Sequence, residues 1–76
     1  MCLLQMKVGE VAAIDAVNVR GALRQRLMAM GLTQDARISV KHYGWFKSTV
    51  QIMINRTLIG LRKDEAALIE VHPVAA

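Results

Sequence analysis

Tyr43, Trp45 and Phe46 are the only aromatic residues of the 76-residue chain, and they fall within four positions of one another. A core scatters its rings, and a hairpin tip rarely needs three. Tyrosine and tryptophan join a large apolar area to a polar handle and lose little conformational entropy when held, so they anchor interfaces. These three rings are the first candidate partner-binding residues. The competing role is structural: one or two of them fold back and plug an open end of a small core that is short of volume.

Arg20, Arg24 and Arg26 form the second candidate set. Guanidinium forks grip carboxylates or phosphates bidentately. An exposed, solvated basic face is the plain alternative, because such pairs contribute only about 0–1 kcal/mol. Arg26 has a further option, an ion pair with an acid such as Asp35.

Other chemistry is poorly provided for. Cys2, His42 and His72 are the only soft metal ligands, and they show no recognisable spacing. A tight transition-metal site needs three or four converging ligands, so no metal or other cofactor is expected; a metal bridging two copies stays open. There is no glycine-rich phosphate loop and no histidine–acid–nucleophile set. Asp64 and Glu65 read as acids at the positive end of a helical turn. The chain does not read as an enzyme.

The aromatic cluster lies between two strands. Ile38, Val40 and His42 alternate with Arg37, Ser39 and Lys41, and Val50, Ile52 and Ile54 alternate with Thr49, Gln51 and Met53, each set predicting one buried and one wet face. Asn55-Arg56 supplies a two-residue turn, since asparagine tolerates positive φ, and Thr57 to Leu61 runs back. Val11 to Val17 makes an earlier strand after a turn at residues 7–10. Leu68 to His72 makes a last one, which Pro73 stops.

The arginines lie on the one convincing helix. Val19, Leu23, Leu27 and Met30 share a stripe of a 3.6-residue helix, Asn18 is the expected N-cap, and Gly31 stands at the left-handed position that ends it, with Leu32 as its apolar contact. Met28 and Met53 fall off the apolar stripes and are candidates for an adaptable contact surface, or for filling gaps in the core. Five short strands, one helix after the first and a helical turn before the last predict a mainly β fold, a small, strongly bent antiparallel barrel. Closing the sheet would hide edges that otherwise template aggregation.

At 8.4 kDa and 54% hydrophobic residues, the chain has enough apolar matter to fold and too little mass for two cores. We read residues 1–76 as a single domain, compact from about Lys7 to Pro73, with short frayed ends. One cysteine allows no intrachain disulfide, which fits a reducing compartment. Neither a signal peptide nor a membrane span is recognisable, so the chain reads as cytoplasmic. Residues 16–63 carry nine basic side chains against one acid, Asp35, a net +8. A basic middle of this kind favours an anionic partner or simply keeps an apolar-rich domain soluble.

Taken in order, Arg26-Leu27-Met28-Ala29-Met30-Gly31-Leu32-Thr33, Ile38-Ser39-Val40, Leu61-Arg62-Lys63-Asp64-Glu65-Ala66 and Ile69-Glu70-Val71 resemble the ferrous iron transport protein A family from Val8 to Val71. The resemblance implies an SH3-like barrel, with Leu27, Met30, Gly31, Leu32 and Leu61 as structural motif positions. It also implies a small cytosolic accessory of ferrous iron uptake, touching the cytosolic part of the membrane-embedded, GTP-binding ferrous iron transporter and recruited to the inner membrane by it. The family places proline-glycine where this chain has Gln34-Asp35, and a proline-containing loop where it has residues 43–48. The expected function is a non-enzymatic protein-binding module, alone or as a homo-oligomer. The alternative is a small barrel that stacks single-stranded nucleic acid on its rings while its arginines track phosphates.

Overall fold

The computed structural model describes residues 1–74. Its strands are β1 (Val11–Val17), β2 (Arg37–Tyr43), β3 (Thr49–Ile54), β4 (Thr57–Arg62) and β5 (Ile69–Pro73). All neighbours are antiparallel, in the order β4-β3-β2-β1-β5. The strands form because β-branched side chains recur every second residue and drive one pleated face inward. Val50, Ile52 and Ile54 of β3 are each at most 1% exposed, and all five strands feed a single core. Asn55 (φ 47°) and Arg56 (φ 69°) form the two-residue loop that pairs Ile54 with Thr57. This is the left-handed geometry that matches strand twist.

The barrel is mainly β, as the residue pattern predicts, but its hydrogen-bond ladder is not closed. β4 and β5 are its edges, joined by the short helix α2 (Lys63–Ala66). The β5 edge is covered by the N-terminal segment: the Met1 amine donates to the Val71 carbonyl (2.8 Å), Val71 N–H donates to the Met1 carbonyl (2.7 Å), and Cys2 pairs with Glu70. Residues 1–6 are therefore part of the fold and not a frayed end. Leu3 and Met6 are 0% and 1% exposed and complete the core where the sheet alone cannot enclose it.

His42 does not continue the buried face of β2. The register slips between Val40, opposite Ile52, and His42, opposite Gln51, which leaves Lys41 as an extra residue. That bulge inverts the alternation. His42 turns to solvent, and Tyr43, opposite Val50, takes the inward position.

The helix also begins later than its apolar spacing predicts. Helix α1 spans Gly21–Ala29, and Arg20, not Asn18, is its extended N-cap, with no side-chain cap. Val19 is buried at 3% exposure, so the chain runs on extended past β1 before Gly21 (φ 71°) turns it. The helix ends as expected. Leu32 N–H donates to the Leu27 carbonyl (2.9 Å), Gly31 N–H to the Met28 carbonyl (3.0 Å), and Gly31 has φ 100°. This is a Schellman cap with Leu32 fully buried behind it. A β-carbon on Gly31 would lie 3.0 Å from Asn55 Nδ2. Gly31→Ala is therefore expected to lower stability by about 1–2 kcal/mol, read as a shifted urea midpoint at unchanged slope; an unshifted midpoint would refute the strained geometry.

Asp35 replaces glycine in the next turn. It sits at φ 69° while Ala36 N–H closes onto the Thr33 carbonyl (3.1 Å) and Asp35 N–H reaches the Ile14 carbonyl (2.8 Å). Aspartate is among the few residues that tolerate this region, so the departure at Gln34-Asp35 leaves the turn intact.

Candidate functional site

The loop between β2 and β3 separates its three rings. Tyr43 folds back: it is half-buried against the core, and its hydroxyl donates to the Met6 carbonyl at 2.6 Å. It is not displayed at the tip, because the Lys41 bulge has rotated it inward. Trp45 and Phe46, in a tight turn at Trp45–Lys47, are 84% and 90% exposed. Their ring centroids lie 6.1 Å apart, tilted by 50°.

Nothing local explains so much exposed ring surface, yet the loop beneath is firmly held. Gly44 N–H donates to the Thr49 carbonyl (2.9 Å) and Ser48 N–H to the Trp45 carbonyl (2.9 Å). Lys47 Nζ donates to the Leu4 carbonyl (2.8 Å) and lies 4.7 Å from the Tyr43 ring centroid. Tyr43 and Lys47 together clamp the loop onto the N-terminal turn and leave the two rings between them facing outward. Phe46 (φ 53°) and Lys47 (φ 58°) both occupy the left-handed region, which is unusual for a bulky residue and is found where surrounding structure over-determines the backbone, often at binding sites. Lys47 carried no signal of its own in the sequence; its role depends on residues 3–6 arriving from far along the chain.

Burial raises the Tyr43 hydroxyl's pKa above that of a free tyrosine, with Cys2 and then Glu10 adding to it. The folded state thus favours the neutral phenol. That contribution is fully present below the unfolded group's pKa and is lost as pH rises through the higher, folded value. Tyr43 is the only tyrosine, so the phenolate absorbance of the native protein is expected to appear at higher pH than in the urea-unfolded chain. Coincident titration curves would mean that the hydroxyl is not held.

The three arginines have different surroundings. Arg20 is the exposed N-cap of α1, and Arg24 is tied by a guanidinium hydrogen bond to the Val17 carbonyl, which anchors the helix to the end of β1. Arg26 makes no ion pair with Asp35; it lines a cleft between α1 and β4 together with Leu23, Gly60, Arg62 and Glu65. Leu27, Leu32 and Leu61 are buried, and Met30 is half-buried against the core. Met28 packs there too, and Met53 is half-buried.

The soft ligands are dispersed among structural roles. Cys2 Sγ accepts from Leu4 N–H (3.4 Å) and approaches the Ala66 and Ala67 carbonyls. His72 Nδ1 lies 2.5 Å from Asp15 Oδ1, a pair set by the antiparallel register of β1 and β5, in which Asp15 is the unpaired residue between Ile14 and Ala16. Among the described residues no three histidine, cysteine or acidic side chains come together.

Comparison with known proteins adds what this geometry alone cannot supply. The FeoA domain matches residues 1–73. The chain belongs to the FeoA family. It is accordingly a protein associated with Fe(2+) transport. Over its whole length it is 30% identical to 9% of a Porphyromonas gingivalis Fe(2+) transport protein A/Fe(2+) transporter FeoB fusion protein. The solution structure of the Chlorobium tepidum FeoA protein superposes with a TM-score of 0.91 at 32% identity, covering 99% of this chain and 71% of that one. The zinc complex of Stenotrophomonas maltophilia FeoA, described as a procaryotic SH3 domain protein, superposes at 0.81 and 20% identity, covering 95% and 89%, which establishes the shared SH3-like fold. The FeoA family is one of accessory, transport-associated proteins. No helix among the described residues is long and apolar enough to cross a membrane.

Proposed function

We propose that this FeoA-family protein binds and modulates the membrane-embedded, GTP-binding ferrous iron transporter, docking on its cytosolic part through Trp45 and Phe46. One observation carries the reading: two large rings stand almost fully exposed on a loop that is clamped from behind. A stiff, pre-organised apolar tip pays little ordering entropy on binding, which is what an anchor needs. Tyr43 acts by positioning these rings, and Arg20 supplies peripheral charge. The Porphyromonas gingivalis relative, in which one chain carries both transport protein A and transporter, supports a partnership between the two. Modulation then requires that the tip bind one state of the transporter more tightly than another.

The test is capture of the transporter from native membranes on immobilised protein, repeated across a salt series. Retention through 0.5 M salt is expected of an apolar anchor. Capture that instead fades steeply with salt, or is displaced by single-stranded nucleic acid, would favour phosphate contacts and defeat the reading.

A further inference from the structure

The two edges of the sheet are treated differently. The β5 edge is covered by residues 1–2, whereas the β4 edge has no neighbour among the described residues. In the β3–β4 hairpin, Ile54 pairs with Thr57, Ile52 with Ile59 and Val50 with Leu61. Antiparallel alternation then turns the backbone N–H and C=O groups of Leu58 and Gly60 away from β3, and among the described residues no group outside the hairpin meets them. Gly60 has no side chain, and a β-carbon there would find nothing within 4 Å. Glycine in a strand interior weakens it, and one of its uses is to let a second backbone approach closely.

This edge borders a cleft of about 550 Å³, lined by Leu23, Arg26, Thr49, Gly60, Arg62 and Glu65. Its one acid is engaged, since Glu65 Oε1 accepts from Arg62 N–H at 2.8 Å. Neither Arg26 nor Arg62 enters an ion pair among the described residues. Half-exposed Leu58 adds an apolar shelf at the other end of the edge.

We infer that β4 is a strand-addition site for an extended, acidic segment of a protein partner. The segment's backbone would pair with Leu58 and Gly60, and its alternate carboxylates would meet Arg26 and Arg62. Main-chain pairing supplies affinity in such sites and side-chain pockets supply selectivity. The charge of the surrounding chain, a net +8 over residues 16–63, selects an acidic occupant and disfavours a second copy of this basic protein. The site is separate from the Trp45–Phe46 tip, so either can fail without the other.

The probe is a blocked hexapeptide of alternating glutamate and valine, with a lysine–valine hexapeptide as control. At saturation the glutamate peptide is expected to slow amide exchange at Leu58 and Gly60 at least tenfold, read by NMR on the full chain. The Arg26→Gln/Arg62→Gln variant, both side chains being exposed, is expected to weaken binding by about tenfold or more, and Trp45→Ala to leave it unchanged. Gly60→Pro, which removes an outward donor without touching the β3 ladder, abolishes binding if it folds; the arginine variant decides if it does not. Unprotected Leu58 and Gly60 amides, or equal binding of the lysine peptide, would overturn the proposal. So would a concentration-dependent dimer that protects the same amides without peptide, which would assign the edge to a second copy.

Discussion

If the proposed docking holds, replacing Trp45 by alanine is expected to weaken capture of the transporter by about 30-fold or more, the effect of removing a hot-spot anchor worth at least ~2 kcal/mol. The same change leaves folding stability within about 0.5 kcal/mol of wild type. The two expectations follow from one fact. With 84% of its surface already in water, the Trp45 side chain has little native burial to lose. On the proposed docking, what it has to lose lies in the partner. Phe46→Ala behaves alike, at 90% exposure. Tyr43→Ala must do the reverse, because that ring packs on the core and its hydroxyl ties the loop to Met6. Capture assays and thermal melts on the three variants therefore sort the rings of one short loop into anchors and support. A folding stability lowered by several kcal/mol for Trp45→Ala, with capture intact, would make that ring part of the fold and end the docking argument.

Truncation of Leu27 to alanine is expected to cost about 2–5 kcal/mol of stability, measured by urea denaturation. Leu27 is the only fully buried residue of α1. The helix has nine residues, no side-chain N-cap and no acid in its first turn. A helix so short is marginal by itself, so its place on the barrel depends on Leu27, with Leu23, Met28 and Met30 packed partly against the core. The loss should reach beyond one cavity. If α1 loosens, its amides exchange faster than those of β3, and Arg26 leaves the cleft beside β4. A loss under about 1 kcal/mol, with α1 protection retained, would show that the helix is held by its Schellman cap and the Arg24–Val17 contact instead.

Much of the fold could be read from residue order. The β3–β4 hairpin follows from Val50, Ile52 and Ile54 alternating up to Asn55-Arg56, because strand burial has period two and asparagine accepts the left-handed turn. The helix end follows from Gly31 and Leu32, whose cap needs only near neighbours. The start of α1 was not readable in the same way. Val19 obeys helical spacing from Leu23 and Leu27, yet it is buried by continuing inward from β1, and periodicity cannot tell these two routes to burial apart. His42 likewise obeys alternation up to the Lys41 bulge. A bulge is selected by how two strands pair, and one strand's sequence does not contain that.

The candidate site divides along the same line. Sequence alone determined that the aromatic surface is concentrated in residues 43–46, that charge is concentrated in residues 16–63, and that a five-stranded barrel carries both, since composition and short-range period are local properties. Only the tertiary structure decided which rings face water, through the bulge at Lys41 and the Met6 and Leu4 carbonyls that receive Tyr43 and Lys47. It alone decided that Arg24 is tied to Val17 while Arg26 faces the cleft, and that residues 1–2 cover one edge of the sheet and leave β4 open. Most of these depend on groups distant in sequence meeting, as Tyr43 meets Met6 at 2.6 Å and Lys47 meets Leu4 at 2.8 Å, or failing to meet, and no spacing along the chain encodes that.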